Sequence, residues 1–382
     1  MNILVIGNGF DLAHRLPTTY QDFLKFTDNY RNLLEYDYYD QMLEAKQLIN
    51  DNIWIKHFKR FYEGNGWIGF EKEMSNIIKI LDRKFPKFEK VREKGIGSVK
   101  FNIIEQDALK DFDASIAQGI VIDDNFISKN KERMLFDLNR LIRCLEIYLD
   151  CCINHYSVMK LSPDIKELDI DKVLSFNYTN TYARIYDNSE NNKVEYDYIH
   201  GKADIDHDIE TNNMVLGIDE FLPKDRRNKD VEFIAFKKYY QRIYKGTGSK
   251  YKDWISEIKK ENKIYKEKKR NIEMFLKSEI GFTSEIEERE NELKQLKENP
   301  PRLNLFIFGH SLDTTDKDIL RDLILNDNVY TTIFYQDKEE LGRKISNLTQ
   351  VIHQDELIKR TGGSIKTIVF EPQKPMKPID KQ

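Results

Sequence analysis

The sequence predicts an α/β protein with a Rossmann-like, mostly parallel sheet that is flanked by helices and interrupted by two large helical insertions. The first observation behind this prediction is that short apolar runs alternate with helical patterns, as they do in parallel sheets. The second is that residues 3–6 and 305–308 are apolar at every position, which is typical of strands buried on both faces. The third is that two long segments have helical patterns and no place in this alternation.

Seven runs have the length and composition of strands. They are residues 2–6, 172–176, 194–199, 214–218, 303–308, 329–335 and 366–370. Gly309 ends the fifth run, and a helical pattern over residues 315–325 then leads to the sixth. We therefore expect residues 1–40, 171–222 and 302–382 to form one discontinuous α/β core.

The two remaining segments, residues 41–170 and 223–301, are predicted to be helical insertions. In the first, leucines at positions 135, 138, 141, 145 and 149 recur at helical spacing. In the second, nearly half of the positions between 251 and 300 are charged, and Ile286, Leu293 and Leu296 form only a sparse apolar seam. That pattern favours a surface hairpin or a partner-binding arm over a core element.

Composition excludes some classes of protein and leaves others open. The net charge of −4, from 61 basic and 65 acidic residues, gives no general reason to expect nucleic-acid binding. The three cysteines, Cys144, Cys151 and Cys152, cannot form a four-cysteine zinc site within one chain, and we expect no metal. The sequence has neither a cationic leader before its first strand nor an apolar run of the roughly 20 residues that span a membrane. We expect a cytoplasmic protein that does not insert into membranes.

The first candidate site follows the first predicted strand and reads Gly7-Asn8-Gly9-Phe10-Asp11. A glycine-rich turn at the end of a parallel strand is either a nucleotide-binding loop or an ordinary strand-to-helix turn. As a ligand loop, its N–H groups could contact phosphate oxygens. Asp11 would repel a phosphate, so it would face ribose hydroxyls or a cation, or else cap the helix.

Three further candidates also follow predicted strands. Asn177 has a donor and an acceptor suited to a ribose hydroxyl or a water, or it stabilises its turn. His200 precedes Gly201 and could accept a proton near neutral pH, or it is structural. Ser311 and the loop N–H groups after Gly309 could hold a pyrophosphate, and Asp316 could cap the next helix.

Together these segments resemble the AbiH family of bacteriophage abortive-infection proteins. The opening stretch ILVIGNGFDLAHRLPTTYQDFL is the most specific match, and SFNYTNTY, YIHG, VLGID and FGHSLDTTDKDIL follow in the family order. The block WIGFE at residues 67–71 also matches, although Gly69 stands where the family pattern has an acidic residue.

The AbiH pattern is in turn similar to sirtuin-like NAD-binding domains, which have glycine-loop, Thr-x-Asn, His-Gly and Gly-x-Ser motifs. This resemblance implies that Asn177 and His200 are catalytic, with Asn177 positioning a water or the ribose hydroxyls and His200 acting as the general base. The NAD-binding residues that it implies are Gly7, Asn8, Gly9, Phe10, Asp11, Gly201, Gly309, His310, Ser311 and Asp316. Deacylases of this class carry a four-cysteine zinc module, which this chain cannot supply because it has three cysteines. The resemblance therefore favours hydrolysis of NAD over deacylation.

Two other functions stay open at this point. The chain could be a non-catalytic module that senses NAD or a related nucleotide and controls a partner, or it could be a defence effector that acts on nucleic acid. A NAD hydrolase would have to be held inactive in its host, and the helical insertions are candidates for that control. We therefore expect a phage-derived trigger, and contacts with a second copy or a partner protein through residues 223–301.

Overall fold

The computed structural model describes residues 1–33, 38–62, 69–93, 98–113, 115–116, 119–121, 126–187, 194–278, 282–364 and 366–379. At its centre is a six-stranded sheet whose neighbouring strands are all parallel. The strands are β1 (Asn2–Ile6), β2 (Lys172–Ser175), β3 (Glu195–Tyr198), β4 (Leu303–Phe308), β5 (Val329–Tyr335) and β6 (Ile368–Pro372). Their spatial order is β3-β2-β1-β4-β5-β6, which is the Rossmann order, so the predicted fold class is confirmed.

Strand β1 lies in the middle of the sheet because it can bury both of its faces. Ile3 and Val5 pack against helices on one face, and Leu4 and Ile6 belong to a second core cluster on the other. All four are at most 2% exposed. Two different cores therefore meet at one short strand, as the alternation of side chains along a strand requires.

Helices surround this sheet. They are α1 (Asn8–Ala13), α2 (Tyr20–Asn29), α3 (Tyr39–Ile49), α4 (Ile53–Tyr62), α5 (Phe70–Glu93), α6 (Ile103–Leu109), α7 (Phe126–Ile147), α8 (Pro163–Lys166), α9 (Thr181–Ile185), α10 (Lys224–Arg227), α11 (Lys238–Lys245), α12 (Tyr251–Lys277), α13 (Thr283–Glu298), α14 (Lys317–Ile324), α15 (Lys338–Ile352) and α16 (Gln354–Thr361). A π-helix, Tyr148–Ile153, continues α7. Two short antiparallel ribbons pair Val99–Lys100 with Ile120–Val121, and Lys160–Leu161 with Lys377–Pro378.

One predicted strand, residues 214–218, is wrong. Its apolar side chains are buried, which is why the pattern looked like a strand, but the segment lies outside the sheet. The N–H of Val215 donates to the carbonyl of His200, and that of Leu216 donates to the side chain of Gln241. A loop and a side-chain amide thus replace the neighbouring strand.

The two segments predicted to be helical are largely helical where the structure describes them. Helices α3–α7 share an apolar core, around residues such as Trp54, Phe58 and Met74, with α2 and with the segment 203–236. Helices α12 and α13 form the expected hairpin, and Lys268 of α12 pairs with Glu292 of α13 at 2.9 Å. The beginning of α12 packs on the sheet through Trp254 and its apolar neighbours, so this helix is both a core element and an arm.

None of the helices in the described ranges combines the length and the apolar character that crossing a bilayer would require.

Candidate functional site

A cleft of about 480 Å³ opens at the carboxyl ends of β1, β2 and β4. The chain runs from β1 to β2 and β3 on one side and returns to β4 on the other, so the loops diverge at this point. Ligands of open α/β sheets bind at such a switch point. The cleft brings together ten of the residues predicted from the sequence, namely Gly7, Asn8, Gly9, Asp11, Asn177, His200, Gly309, His310, Ser311 and Asp316.

The turn after β1 and the turn after β4 pack directly against each other. The N–H of Gly9 donates to the carbonyl of Gly309 at 2.8 Å, and a Cβ on Gly9 would lie 2.7 Å from that oxygen. Gly309 has a φ of 68°, in the left-handed region that favours glycine. The N–H groups of Gly7 and Phe10 also donate to carbonyls, at 3.4 and 2.8 Å. The glycines thus serve contact between the two turns, and less of this backbone is left to bind a phosphate than the sequence suggested.

Two of the predicted nucleotide-binding residues do not line the cleft. The Phe10 ring lies in the core below the turn, 4.6 Å from the ring of His14 and 5.9 Å from that of Phe308. Gly201 has a φ of 78°, and a Cβ there would lie 2.2 Å from the carbonyl oxygen of Asn213. Phe10 therefore packs in the core, and Gly201 allows the backbone at Asn213 to approach closely.

Asp11 and Asn177 lie at the floor of the cleft. The hydroxyl of Thr179 donates to Asp11 Oδ2 at 2.6 Å, while the side chain of Asn177 donates to the carbonyl of Gly7 at 3.1 Å. Burial raises the pKa of Asp11 to about 6. Within the part of the chain that the structure describes, Asp11 Oδ1 and Asn177 Oδ1 are buried acceptors without a hydrogen-bond partner. Such atoms are rare in folded proteins unless a water or a ligand satisfies them.

Two histidines share the carboxylate of Asp316. His200 Nε2 lies 3.6 Å from Asp316 Oδ1, and His310 Nε2 lies 3.3 Å from Oδ2. The ring of Phe176 is in edge contact with both imidazoles, with centroids 5.7 and 4.3 Å away. His310 Nδ1 accepts the N–H of Leu312 at 2.9 Å, so the proton of its neutral ring is on Nε2 and faces Asp316. The sequence had allowed Asp316 to cap α14, but its side chain makes no capping hydrogen bond there.

The same arrangement gives His200 a free proton acceptor. With Nε2 toward Asp316, its buried Nδ1 has no hydrogen-bond partner among the described residues. Burial lowers the pKa of His200, although the carboxylate of Asp316 opposes this. Burial alone would raise the pKa of Asp316, but His200 and His310 outweigh it and hold that pKa well below its usual range. His200 and Asp316, which we call the dyad, therefore pair a neutral imidazole with an ionised carboxylate at neutral pH.

Sequence reasoning missed the wall opposite the sheet, which carries Lys238, Glu71 and Tyr20. The hydroxyl of Tyr20 donates to Glu71 Oε1 at 2.9 Å, and the ammonium of Lys238 lies 3.9 Å from the same oxygen. Burial alone would lower the pKa of Lys238, but Glu71, Asp316 and Asp219 outweigh it and raise that pKa. Glu71 belongs to the WIGFE block, whose first two residues lie outside the described residues, and Gly69 of that block lines the cleft.

Helices α2 and α7 close the cleft from the side. Leu145 and Leu149 line it from α7 and the π-helix, and residues 18–21 line it from the start of α2. Thr19 caps α2 through a reciprocal capping box with Asp22. Thr18 instead donates from its hydroxyl to Asn8 Oδ1 at 2.6 Å, which ties the start of α2 to the glycine turn.

No group of three or more histidine, cysteine or carboxylate side chains in the described ranges is arranged to hold a metal ion. In comparisons with known proteins, the family model described as Bacteriophage abortive infection AbiH matches residues 3–337. Neither a curated protein nor a solved structure matches the chain.

Proposed function

This chain belongs to the AbiH family of bacteriophage abortive infection proteins, and on that premise we propose that its cleft binds NAD and hydrolyses the bond between nicotinamide and ribose. The family implies a role in defence against phage. The proposed chemistry would make the protein an antiphage effector that removes NAD.

The observation that carries this proposal is the pair of buried acceptor atoms, Asn177 Oδ1 and His200 Nδ1, in one cleft at the switch point of a Rossmann-ordered sheet. Neither atom has a hydrogen-bond partner among the residues that the structure describes. An amide oxygen and a neutral imidazole nitrogen are suited to hold and deprotonate a water or a ribose hydroxyl. A purely structural role would leave these acceptors unsatisfied at a cost of about 1–3 kcal/mol each.

In the proposed reaction, the oxygen of a water forms a bond to the anomeric carbon of the ribose. Nicotinamide leaves with the electron pair of the broken carbon–nitrogen bond, and the proton of the water passes to His200 Nδ1. Asp316, beside Nε2, stabilises the imidazolium that results. Asn177 orients the water or the ribose hydroxyls. The products are nicotinamide and ADP-ribose.

The test measures NAD, nicotinamide and ADP-ribose by mass spectrometry in cells that express the chain, and in parallel with the purified protein. We expect wild type to convert NAD to the two products. We expect His200→Ala to slow the conversion by roughly 100- to 10,000-fold, the usual weight of a positioned acid–base group. Asn177→Ala should also slow it, because the water or the ribose hydroxyls lose their orientation. His155→Ala is the matched control, since His155 is an exposed histidine that does not line the cleft.

Conversion at the wild-type rate by His200→Ala would refute the role of that residue. Growth arrest with NAD intact would refute the hydrolase. Tight NAD binding without conversion would instead favour the nucleotide-sensing module, and a salt-sensitive affinity for RNA or DNA would favour the nucleic-acid effector.

A further inference from the structure

A second cavity, of about 530 Å³, lies among the helices beside the cleft. It is formed by α2, α3 and the π-helix that continues α7. Its lining residues include Pro17, Asp22, Lys25, Met42, Tyr148 and Cys152. None of these residues lines the cleft.

The cavity has an apolar floor and a polar rim. Phe26, Met42 and Tyr148 are among the buried residues of the floor, while Lys25 and Asn29 at the rim are exposed. Its volume falls within the range of about 300–1,000 Å³ that is usual for small-molecule sites. A mostly apolar lining with a few polar groups is also typical of such sites. The floor suits an aromatic ring. The cation available to an anionic group on the same molecule is the exposed ammonium of Lys25, which would exchange its partner Asp22, 3.8 Å away, for the ligand.

The cavity and the cleft share one wall. On the π-helical side, Leu145 and Leu149, four residues apart, line the cleft, whereas Tyr148 and Cys152, also four residues apart, line the cavity. Residues three and four apart are neighbours on a helix surface, so these four side chains form one continuous stripe. The stripe borders the cleft at Leu145 and Leu149 and the cavity at Tyr148 and Cys152. On the other side, Pro17 and Asp22 line the cavity, and the four residues between them line the cleft.

Hydrogen bonds cross this wall. The hydroxyl of Tyr148 donates to the carbonyl of Pro17 at 2.6 Å. Asp22 and Thr19 bond each other in the capping box of α2, and Thr18 donates to the side chain of Asn8 in the glycine turn. A molecule that pressed on Tyr148 or Asp22 would therefore act on groups bonded to the cleft.

We propose that this cavity is a second ligand site, for a small aromatic molecule with one anionic group, and that its occupancy shifts the adjoining wall of the cleft. The proposal does not depend on the reaction proposed for the cleft, because both of its parts are measured without NAD.

The probe is 8-anilinonaphthalene-1-sulfonate, an aromatic anion, titrated into the full chain with methyl-labelled methionine and leucine. We expect the methyl resonance of Met42 to shift and saturate, while those of Met134 and Met214, which are buried elsewhere, stay in place. The methyl resonances of Leu145 and Leu149 should shift with the same apparent Kd, because each leucine is a neighbour of Tyr148 or Cys152 in the same helical stripe. Met42→Leu and the two leucine-to-isoleucine variants assign the signals.

Cys152→Trp tests the location, because Cys152 is half-buried and an indole there would occupy the cavity. It should abolish the Met42 shift, whereas Tyr244→Trp adds the same ring at an exposed position outside both sites and should leave it unchanged. Lys25→Glu acts at the exposed rim and needs no repacking. It should weaken binding by roughly two- to fivefold, the weight of an exposed ion pair.

A Met42 resonance that does not move would overturn the ligand site, as would wild-type binding by a folded Cys152→Trp variant. Leucine resonances that stay in place while Met42 moves would overturn the coupling to the cleft.

Discussion

Asp316 is the residue on which the chemistry of the cleft depends most. Its two carboxylate oxygens face the Nε2 atoms of His200 and His310, and the ammonium of Lys238 is close enough to help lower its pKa. His310 is fixed by the N–H of Leu312, so it acts as a support for the carboxylate. The carboxylate in turn engages Nε2 of His200, and the buried Nδ1 has no hydrogen-bond partner among the described residues.

We predict that Asp316→Asn will lower the pKa of His200 further. Burial already lowers that pKa, and the carboxylate is what opposes burial. Without the negative charge, the protonated imidazole loses its partner, and the pKa should fall below that of wild type. Titration of the His200 ring protons by NMR measures this directly, whether or not the protein hydrolyses NAD.

The control for this experiment is Asp313→Asn, which removes an exposed carboxylate from the same loop while leaving an oxygen that can accept the N–H of Thr315. It should leave the titration of His200 close to that of wild type. An unchanged His200 pKa in Asp316→Asn would contradict the dyad.

The sequence could point to Asn177 and His200 because each directly follows a strand, and parallel strands bring their carboxyl ends to one edge. It could not point to Lys238 or Tyr20. These residues sit on helices α11 and α2, and only tertiary packing turns them toward the cleft. The family-like WIGFE block was the one signal for Glu71.

At the scale of elements, the central feature is the contact between the turns after β1 and β4. Each turn follows an apolar strand, and both strands were predicted with the bounds that the structure has. Pairing of β1 with β4 in parallel register brings the two turns side by side, since Ile6 is opposite Phe308. Glycine at the contact is then a requirement of backbone packing as much as of ligand binding.

We predict that Gly9→Ala will destabilise the protein by about 1–3 kcal/mol, the usual cost of an overpacked site. The added Cβ would lie 2.7 Å from the carbonyl oxygen of Gly309 and 2.9 Å from its Cα, and neither backbone atom can move away as a flexible side chain could. Urea unfolding measures the change as a lower midpoint at constant slope.

The matched control is Gly342→Ala. Gly342 is also helical, but a Cβ there would meet nothing within 4 Å. The same substitution should therefore stabilise the protein, by about 0.5–1 kcal/mol, through the better helix propensity of alanine. Equal effects at both positions would mean that the contact between the turns carries no energetic weight.

The segment that could not be predicted is one whose backbone hydrogen bonds go to a loop and to side chains rather than to a neighbouring strand. Residues 214–218 have the apolar composition of a strand, yet the N–H of Val215 donates to the carbonyl of His200 and that of Leu216 to the side chain of Gln241. Ile218 is the one residue of this segment that forms a β-bridge, with Lys237, and that bridge is isolated. Composition reports burial, and burial alone does not distinguish a strand from an extended loop in the core.

At the scale of the whole molecule, the cleft has a cost in stability. Burial raises the pKa of Asp11, at the floor of the cleft, to about 6. A carboxyl group whose pKa is higher in the folded than in the unfolded state destabilises the fold once it is ionised. The rest of the molecule, with its separate sheet and helical cores, must offset that cost at neutral pH.

We predict that Asp11→Asn will remove a pH dependence from the free energy of unfolding. In wild type, Asp11 contributes no cost below its unfolded pKa of about 4 and the full cost, about 3 kcal/mol, above its folded pKa of about 6. The free energy of unfolding of the variant minus that of wild type should therefore grow as pH rises, by about 1.4 kcal/mol between pH 5 and pH 7. Any fixed effect of the new amide cancels in that comparison.

Urea unfolding of both proteins at several pH values measures this difference in the free energy of unfolding. Leu12→Ala, a non-titrating change in the same helix, should differ from wild type by an amount that is constant with pH. A constant difference for Asp11→Asn as well would mean that Asp11 is ionised in the folded protein without penalty, and that the floor of the cleft is better solvated than its burial indicates.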